Sequence, residues 1–457
     1  MIESMRGDSG PGAAGHNDAG PGEGAPDRGI ADRGTPGRRR FLQATGALLA
    51  AAGLPAFARA KPSNGRVVVV GGGFGGATCA RYLRRLLPHA NIALVERERS
   101  YITCPMSNTV LGGFGRLTQL RFGYQILRGR HGVEVIHASA AGIETKGRQH
   151  QLLLLGGRRL DYDFLVVAPG VDLLWGHPEG YDEEASLVMP HAWKAGPQTD
   201  LLAQQIAAMA DGGVVAIAVP PKPFRCPPGP YERASLIAHY LKERKPRSKV
   251  LILDANDKFT KQELFQQGWK ELYGNLVEWV PVGGGGTVHR VDPATRTLHT
   301  DVEAHQVAVA NVIPAQRAGG FAQEAGLADA TGWCPVDPQT MASTRVPGVF
   351  VLGDAAIAGA MPKSASAANS HAKCCALAIA AHFYGDKPGG AIYHNTCYSL
   401  VGPEYGISVT GIYRAHAEGI AQEAGGVSPL QADRAFRAKE AEYTYGWYRS
   451  ITAEAFG

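Results

Sequence analysis

Three of the seven cysteines in this 457-residue chain lie where a thiol could do chemistry. Cys104 and Cys397 lie in polar segments, and Cys226 lies in a loop rich in proline and glycine. A cysteine thiolate is a nucleophile, and two cysteines can exchange electrons as a dithiol and a disulfide. The sequence contains no Cys-x-x-Cys pair, so it predicts neither a metal site of that spacing nor a c-type haem on this chain.

The other four cysteines have plainer surroundings. Cys79, Cys374 and Cys375 fall in apolar helical patterns and are expected to be small core residues. Cys334, between a tryptophan and a proline, has no assigned role.

A glycine-rich turn is the first element expected to position a cofactor. The β-branched strand 66–70 runs into Gly71-x-Gly73-x-x-Gly76, and an apolar helix follows. These glycines allow a tight turn and let the backbone approach a pyrophosphate at the helix N-terminus. Glu96 ends the next strand, at the distance where an acidic residue binds a ribose hydroxyl. The predicted cofactor-binding residues of this unit are Gly71, Gly73, Phe74, Gly76 and Glu96.

Two later strands complete a flavin-binding pattern. The strand and turn at 164–170, and the strand 348–356 with its Gly353-Asp354 pair, resemble signatures of the flavoprotein disulfide-reductase superfamily. That resemblance implies that Asp354 binds the ribityl chain of FAD. The helix from about Ser364 to Ala380 would then direct its positive N-terminus at the flavin. The alternative is that Asp354 is an ordinary helix cap.

A second strand and the turn after it are arranged as in a nicotinamide-binding domain, but the turn is made of different residues. The strand 213–219 is followed by the proline-rich segment 220–230, which contains Cys226. Prolines lack the N–H donors that a phosphate cradle needs. The sequence therefore predicts a second nucleotide-type domain that no longer binds a nucleotide.

The first 60 residues are predicted to be a leader and not part of the fold. A segment poor in large apolar residues precedes Arg38-Arg39-Arg40, and an apolar run at 47–58 ends in a small-residue cleavage site, Ala58-Arg59-Ala60. This order is typical of a twin-arginine signal peptide and predicts export to the periplasm. The alternative, a membrane anchor, is disfavoured because the run is shorter than the roughly 20 residues that span a bilayer.

Composition and length set the expected architecture. A hydrophobic content of 45%, a charged content of 19% and a net charge of +5 are ordinary for a globular protein and do not indicate nucleic-acid binding. We expect an α/β fold of two Rossmann-like doubly wound domains with a small C-terminal α+β cap. The expected segments are the leader 1–60, an FAD-binding domain of 61–170 plus 291–390, a second Rossmann-like domain of 171–290, and a C-terminal domain of 391–457.

Four strings resemble the flavoprotein subunit of flavocytochrome c sulfide dehydrogenase. They are Tyr101–Cys104, Arg225–Glu232, the segment 258–279 with Gln267-Gly268-Trp269, and Asn395–Ser399. The resemblance implies that Cys104 is thioether-linked to the flavin 8α-methyl, that Cys226 and Cys397 form a disulfide beside the flavin, and that haem c is carried by a partner cytochrome. Pro105-Met106, after the linking cysteine, departs from the family pattern.

The expected enzyme is thus a periplasmic FAD-dependent sulfide:cytochrome c oxidoreductase, which forms sulfur or polysulfide. Hydrosulfide would open the disulfide, leaving a persulfide and a thiolate. Glu232, six residues after Cys226, is the candidate proton acceptor, the alternative being an exposed helix glutamate. Two other functions stay open: a sulfide:quinone oxidoreductase, and an accessory flavoprotein that reactivates a thiosulfate-oxidising complex. The quinone alternative is disfavoured by the export signal and by the segment 431–440, which is rich in charged residues instead of forming an apolar surface for docking on a membrane.

Overall fold

The computed structural model describes residues 65–146 and 149–457. The predicted leader and its twin-arginine signal lie outside these residues. The α-helices are α1 (Phe74–Leu86), α2 (Asn108–Leu111), α3 (Gln125–Gly129), α4 (Pro197–Ala208), α5 (Gly229–Arg244), α6 (Gln262–Tyr273), α7 (Gly320–Glu324), α8 (Ala365–Tyr384) and α9 (Arg434–Phe456). Within the described ranges, no helix combines the length and the apolar character needed to cross a bilayer.

The strands are short in the first two thirds of the chain and long near its end. In the first part they are β1 (Arg66–Val70), β2 (Asn91–Val95), β3 (Ser100–Ile102), β4 (Arg121–Gly123), β5 (Glu134–Ile136), β6 (Ala140–Lys146), β7 (Gln149–Leu154), β8 (Arg159–Asp161), β9 (Phe164–Val167), β10 (Val171–Leu173), β11 (Val214–Val219), β12 (Lys249–Asp254) and β13 (Val277–Val280). The rest are β14 (Val288–Asp292), β15 (Thr297–Thr300), β16 (Ala304–Gln306), β17 (Val309–Val312), β18 (Gln316–Ala318), β19 (Cys334–Pro335), β20 (Val349–Val351), β21 (Ala356–Ile357), β22 (Ile392–Gly402), β23 (Tyr405–His416) and β24 (Gly419–Val427).

The first parallel sheet has the strand order β20-β9-β1-β2-β5. Its central strand β1 is a run of valines buried on both faces, as expected where helices cover both sides of a sheet. The helices α1 and α8 pack together on one face, in a core rich in alanine and leucine. The carboxyl ends of β1, β2 and β20 therefore meet at one edge of the sheet, where a doubly wound fold binds its ligand.

The second parallel sheet has the order β13-β12-β11-β17 and is built from residues 214–312. Its strand β17, at Val309–Val312, comes later in the chain than the expected second segment of 171–290. The helices α5 and α6 cover one face with a cluster of large apolar and aromatic side chains. Two parallel doubly wound sheets confirm the fold class that the sequence predicted.

The C-terminal part is a three-stranded antiparallel sheet, β22-β23-β24, followed by the long helix α9. Strand β22 alternates buried and exposed residues along most of its length, and Cys397 is one of the buried ones. This strand packs against both α5 and α8, one helix from each Rossmann-like sheet. The cap therefore brings Cys397 to the edge where those two sheets meet.

Candidate active site

A cavity of about 1030 Å³ joins the glycine turn, the proline-rich loop and the C-terminal sheet. Nine of the ten residues predicted to bind the cofactor or do chemistry line it: Gly71, Gly73, Phe74, Glu96, Cys104, Cys226, Glu232, Asp354 and Cys397. The tenth, Gly76, lies just behind the turn in the first part of α1 and is buried. The structure therefore brings together in one cavity residues that are up to 326 positions apart in the sequence.

The glycine turn is shaped by contacts that only glycine allows. Gly71 has φ +97°, in the left-handed region, and a Cβ atom on it would lie 2.3 Å from the carbonyl oxygen of Ala168. A Cβ atom on Gly76 would lie 1.8 Å from the carbonyl oxygen of Gly71. The turn consequently places backbone at the cavity wall, at the N-terminus of α1, where an anionic phosphate is favoured.

Glu96 lies beside this turn, as the fingerprint predicts. Its carboxylate accepts a hydrogen bond from the backbone N–H of Gly72 at 2.6 Å and another from Glu98 at 2.8 Å. These two bonds fix the carboxylate at the carboxyl end of β2 while it still lines the cavity.

Asp354 carries an unpaired oxygen in the cavity wall. Its Oδ1 is buried and has no hydrogen-bond partner among the described residues. Burial raises the pKa of Asp354, and the positive charges of Arg225 and Lys363 oppose that rise. The N-cap of α8 is Ser364, whose hydroxyl accepts from Ala367, so Asp354 does not cap that helix. A buried acceptor without a partner fits the ribityl hydroxyls of a flavin.

The residues present therefore fit FAD. The glycine turn and Glu96 would hold the adenosine pyrophosphate half, and Asp354 with the N-terminus of α8 would hold the flavin half. The helix terminus contributes Ser364, Ala365 and Ser366 to the cavity.

Cys104 also lies on the cavity wall. Its sulfur is partly exposed and lies 3.6 Å from the carbonyl oxygen of Trp193. Pro105 and Met106, which depart from the family pattern, form a tight turn. In it, Met106 has φ +68° and the backbone N–H of Ser107 donates to the Cys104 carbonyl at 3.0 Å. The departure thus leaves Cys104 on the cavity surface, where its sulfur could reach a flavin.

Cys226 and Cys397 enter the cavity from different elements and are both free thiols in this structure. Cys226 has φ +84°, and its N–H donates to the Lys363 carbonyl at 2.8 Å, which ties the proline-rich loop to the segment before α8. Burial raises the pKa of the Cys226 thiol, and the nearby Cys397 and Glu232 raise it further. The two cysteines thus line the same cavity from two different elements.

Glu232 belongs to the same group of residues. It lies in the first turn of α5, and both carboxylate oxygens accept hydrogen bonds, from Asn108 Nδ2 at 2.8 Å and from the backbone N–H of Leu400 at 2.9 Å. Burial raises the pKa of this carboxyl group, although those two bonds and Lys261 oppose the rise. Glu232 is therefore a cavity residue and not an exposed helix glutamate.

Lys261 is a site residue that sequence reasoning missed. It is 8% exposed, and its ammonium donates to the Cys397 carbonyl at 2.9 Å and to the Ser399 hydroxyl at 2.8 Å. Burial lowers the pKa of Lys261 to about 8, although electrostatic attraction to Cys397 and Glu232 opposes this decrease. No spacing in the sequence links Lys261 to a cysteine 136 residues later.

Trp193 was also missed. Its side chain is 5% exposed, and its indole N–H has no partner among the described residues although it borders the cavity. Its carbonyl accepts from the Arg225 guanidinium, which also lies over the indole ring. Trp193 thus connects the wall near Cys104 to the loop that carries Cys226.

The remaining cysteines are not in this group. Cys79 and Cys375 are fully buried in the core between α1 and α8, as expected, whereas Cys374 is partly exposed and lies near the Ile392 carbonyl. Cys334 is buried on β19, and burial raises its pKa to about 12. Residues 65–146 and 149–457 contain no cluster of three or more metal-ligating side chains.

Three protein families match successive parts of the chain. Residues 65–186 match pyridine nucleotide-disulphide oxidoreductases. Residues 199–314 match the central part of the sulfide dehydrogenase [flavocytochrome c] flavoprotein chain, and residues 390–456 match the flavin-binding part of flavocytochrome c sulphide dehydrogenase. The last two matches contain Cys226 and Cys397, respectively.

Individual proteins of two kinds are similar in sequence. A sulfide dehydrogenase [flavocytochrome c] flavoprotein chain of Chlorobaculum thiosulfatiphilum is 60% identical over 45 residues, which are 10% of this chain and 94% of that sequence. The mitochondrial sulfide:quinone oxidoreductase of Dictyostelium discoideum is 25% identical over 308 residues, and the match covers 63% of this chain and 65% of that protein. The chain thus spans slightly less than two thirds of this longer relative.

Solved structures show the same fold. The sulfide:quinone oxidoreductase of Aquifex aeolicus superposes with a TM-score of 0.64 at 16% identity, over 85% of this chain and 92% of that one. An NAD-dependent persulfide reductase from A. fulgidus superposes with a TM-score of 0.55 at 15% identity, over 85% and 77% of the two chains.

Proposed function

Because this chain belongs to the family of flavocytochrome c sulfide dehydrogenase flavoprotein chains and is thereby an FAD-dependent sulfide oxidoreductase, we propose that it uses a Cys226–Cys397 disulfide to oxidise hydrogen sulfide. The electrons pass through FAD to a c-type cytochrome subunit, and the product is sulfur or polysulfide. One observation carries the proposal: the two cysteines and Glu232 share a single cavity with the dinucleotide turn and Asp354.

The cysteine pair is where sulfide enters. Hydrosulfide is a soft nucleophile that attacks a disulfide sulfur, so that one S–S bond breaks as another forms. The products are a persulfide on one cysteine and a thiolate on the other, and the disulfide has taken up the two electrons that the sulfide lost. When FAD is bound, it provides a carrier that can accept two electrons together and release them one at a time.

Glu232 is the proton acceptor of this site. Its carboxylate lies in the cavity with both cysteines, and burial raises its pKa above the ordinary value of a glutamate. Asn108 and the Leu400 backbone hold the carboxylate in one orientation. We expect it to take the proton that hydrogen sulfide or the persulfide releases.

Cys104 is proposed to tether FAD through an 8α-S-cysteinyl bond. Cys104 is partly exposed and lines the same cavity as the residues that fit the two halves of the cofactor. We propose from the predicted twin-arginine signal that the protein is located in the periplasm. A tether would prevent loss of the cofactor there.

The second Rossmann-like sheet disfavours a nicotinamide nucleotide as the electron partner. Asp254 ends β12, where an acidic residue would bind a nicotinamide ribose, but it is fully buried. Its carboxylate accepts from the Tyr231 hydroxyl at 2.6 Å and from the Trp279 indole at 2.9 Å. The Tyr231 and Phe259 rings stack 3.6 Å apart beside it.

The test is a sulfide-dependent reduction assay with the purified mature protein. Parallel reactions contain a c-type cytochrome or a soluble quinone, and the absorbance of each acceptor is followed after sulfide is added. We expect reduction of the cytochrome. Reduction of the quinone together with failure of every cytochrome would favour a sulfide:quinone oxidoreductase, and failure of both would favour the accessory role in a thiosulfate-oxidising complex.

A further inference from the structure

The side chain of Asn395 lies against the sulfur of Cys397, two residues away on the same face of β22. Asn395 is 2% exposed, and its Nδ2 lies 3.4 Å from Cys397 Sγ, while its Oδ1 lies 3.7 Å from that sulfur. A hydrogen-bond donor stabilises the charged form of an acid over the neutral form. The orientation of the Asn395 amide therefore decides whether negative charge is favoured on Cys397.

Ser364 fixes that orientation. Its hydroxyl oxygen accepts from the Ala367 N–H at 3.0 Å, as the N-cap of α8, and the hydroxyl donates to Asn395 Oδ1 at 2.6 Å. Because Oδ1 receives the serine proton, the amide turns its Nδ2 toward Cys397. The positive N-terminus of a 20-residue helix is thereby linked to the sulfur through two buried side chains.

Charged groups lie around both cysteines of the pair. The Lys261 ammonium, at the start of α6, donates to the Cys397 carbonyl at 2.9 Å. Burial raises the pKa of Cys226, and the negative charge of Glu232 from α5 adds to this rise, whereas the positive charges of Arg225 and Lys261 oppose it. Within the described ranges, no hydrogen bond is donated to the Cys226 sulfur.

We propose that Asn395 is a positioning residue that makes Cys397 the leaving sulfur when hydrosulfide opens the disulfide, so that the sulfane sulfur is formed on Cys226. The sulfur of HS⁻ bonds to Cys226 Sγ, the Cys226–Cys397 bond breaks, and its electron pair leaves on Cys397 as a thiolate. The hydrosulfide sulfur is oxidised, Cys397 is reduced, the proton stays on the terminal persulfide sulfur, and the single negative charge moves to Cys397. A disulfide opens faster when the departing sulfur is the better-stabilised anion. This assignment rests on the proposed function, since it takes the pair to be a disulfide that sulfide opens.

The test locates the new sulfur directly in the wild-type holoprotein. Oxidised protein is mixed anaerobically with less than one equivalent of sodium sulfide, quenched within milliseconds, alkylated and mapped by peptide mass spectrometry. We expect the extra sulfur on the Cys226 peptide and a simple alkyl group on Cys397. The reverse distribution overturns the assignment while leaving sulfide oxidation intact, whereas an intact disulfide and unchanged flavin absorbance would count against the proposed function itself.

Two variants test the role of the amide. Asn395→Leu removes the donor, and Asn395→Asp keeps the shape but replaces the donor with an oxygen. Because a hydrogen bond to a charged group is lost, we expect disulfide opening to slow by about 10- to 100-fold in both, with extra sulfur now found on Cys397 as well. The matched control is Thr410→Val, which removes a hydrogen bond to the Asn395 carbonyl but leaves the amide beside the sulfur. Equal effects of Asn395→Leu and Thr410→Val, with the sulfur distribution unchanged, would overturn the role of Asn395.

Discussion

The turn after β1 and the turn after β11 occupy the same place in two doubly wound sheets. Each follows a central strand that pairs in parallel with a neighbour on both sides. The first turn is the short glycine segment 71–73, and the second is the proline-rich segment 220–228. The first turn lines the cavity with glycine backbone, and the second contributes Cys226 to the same cavity.

The two helices that follow these turns differ in a corresponding way. Helix α1 begins with Phe74 and two glycines, which leave its N-terminus open to the cavity. Helix α5 begins with Gly229 and Pro230, and its Tyr231 closes the equivalent space by bonding to Asp254. The same frame thus binds a cofactor in one sheet and positions a reactive group in the other, because the chemistry resides in the loop.

The largest effect is expected from substitution of Cys226, in the second turn, or of its partner Cys397. Replacing Cys226 or Cys397 with serine should reduce sulfide-driven bleaching of the flavin by about a thousandfold or more, because neither single thiol can form the disulfide. Stopped-flow absorbance measures it. Cys374→Ser, outside the cavity, is the control and should bleach at the wild-type rate. Normal bleaching in either cavity variant would show that the second turn is not the entry point for electrons.

The glycine turn can be broken by one methyl group. Gly76→Ala places a Cβ atom 1.8 Å from the Gly71 carbonyl oxygen, so the turn must move and the protein should be purified without FAD. The ratio of flavin to protein absorbance measures this. Gly426→Ala, on the exposed strand β24 where a Cβ atom meets nothing within 4 Å, should keep its FAD. Full FAD content in Gly76→Ala would contradict the comparison of the two turns.

Lys261 gives the site a pH signature. Its pKa is lowered from 10.5 to about 8 in the folded protein, so between these values the unfolded state binds the extra proton and the contribution of Lys261 to stability rises with pH. The gain is about 3 kcal/mol for Lys261. Burial also lowers the pKa of Lys363 to about 8, which adds a second rising contribution, whereas the raised pKa values of Cys334 and Cys374 make stability fall above pH 9.

Lys261→Met should therefore make the slope of the free energy of unfolding against pH less positive, by about 3 kcal/mol over the range from pH 8 to 10.5. Urea denaturation across this range measures the slope, which does not depend on the hydrogen bonds that the substitution also removes. The exposed Lys258→Met is the matched control and should keep the wild-type slope. An unchanged slope in Lys261→Met would contradict burial of a titrating ammonium behind Cys397.

The smallest expected effect concerns the tether. Cys104→Ala should bind FAD in the same cavity but release it on acid precipitation, with sulfide oxidation lowered by no more than about 10-fold because binding contacts remain. Flavin absorbance of the supernatant measures release. Release of flavin from the wild-type protein as well would show that Cys104 forms no covalent bond.

The first turn was predictable from the sequence to a degree that the second was not. Gly71, Gly73 and Glu96 follow a local pattern in which each residue type has a steric or hydrogen-bonding reason. Asp354 needed a resemblance to a family, and its unpaired oxygen became visible only in the structure.

The second half of the site depends on contacts between distant segments. Lys261 reaches Cys397 across 136 residues, and Ser364 reaches Asn395 across 31, through the packing of the C-terminal sheet on two helices. No periodicity or spacing encodes such contacts, because they arise when separate elements meet. Strand β17 likewise joins the second sheet from residues 309–312, which a reading of the chain in order does not indicate.

The most direct test of the account is to map the thiols of the oxidised wild-type protein before and after sulfide. Alkylation under denaturing conditions without reductant, followed by peptide mass spectrometry, reports which cysteines are paired. We predict a Cys226–Cys397 disulfide that one equivalent of sulfide opens as the flavin bleaches, with Cys79, Cys334, Cys374 and Cys375 unpaired throughout. Free thiols at both Cys226 and Cys397 in the oxidised protein, with bleaching still complete, would contradict it.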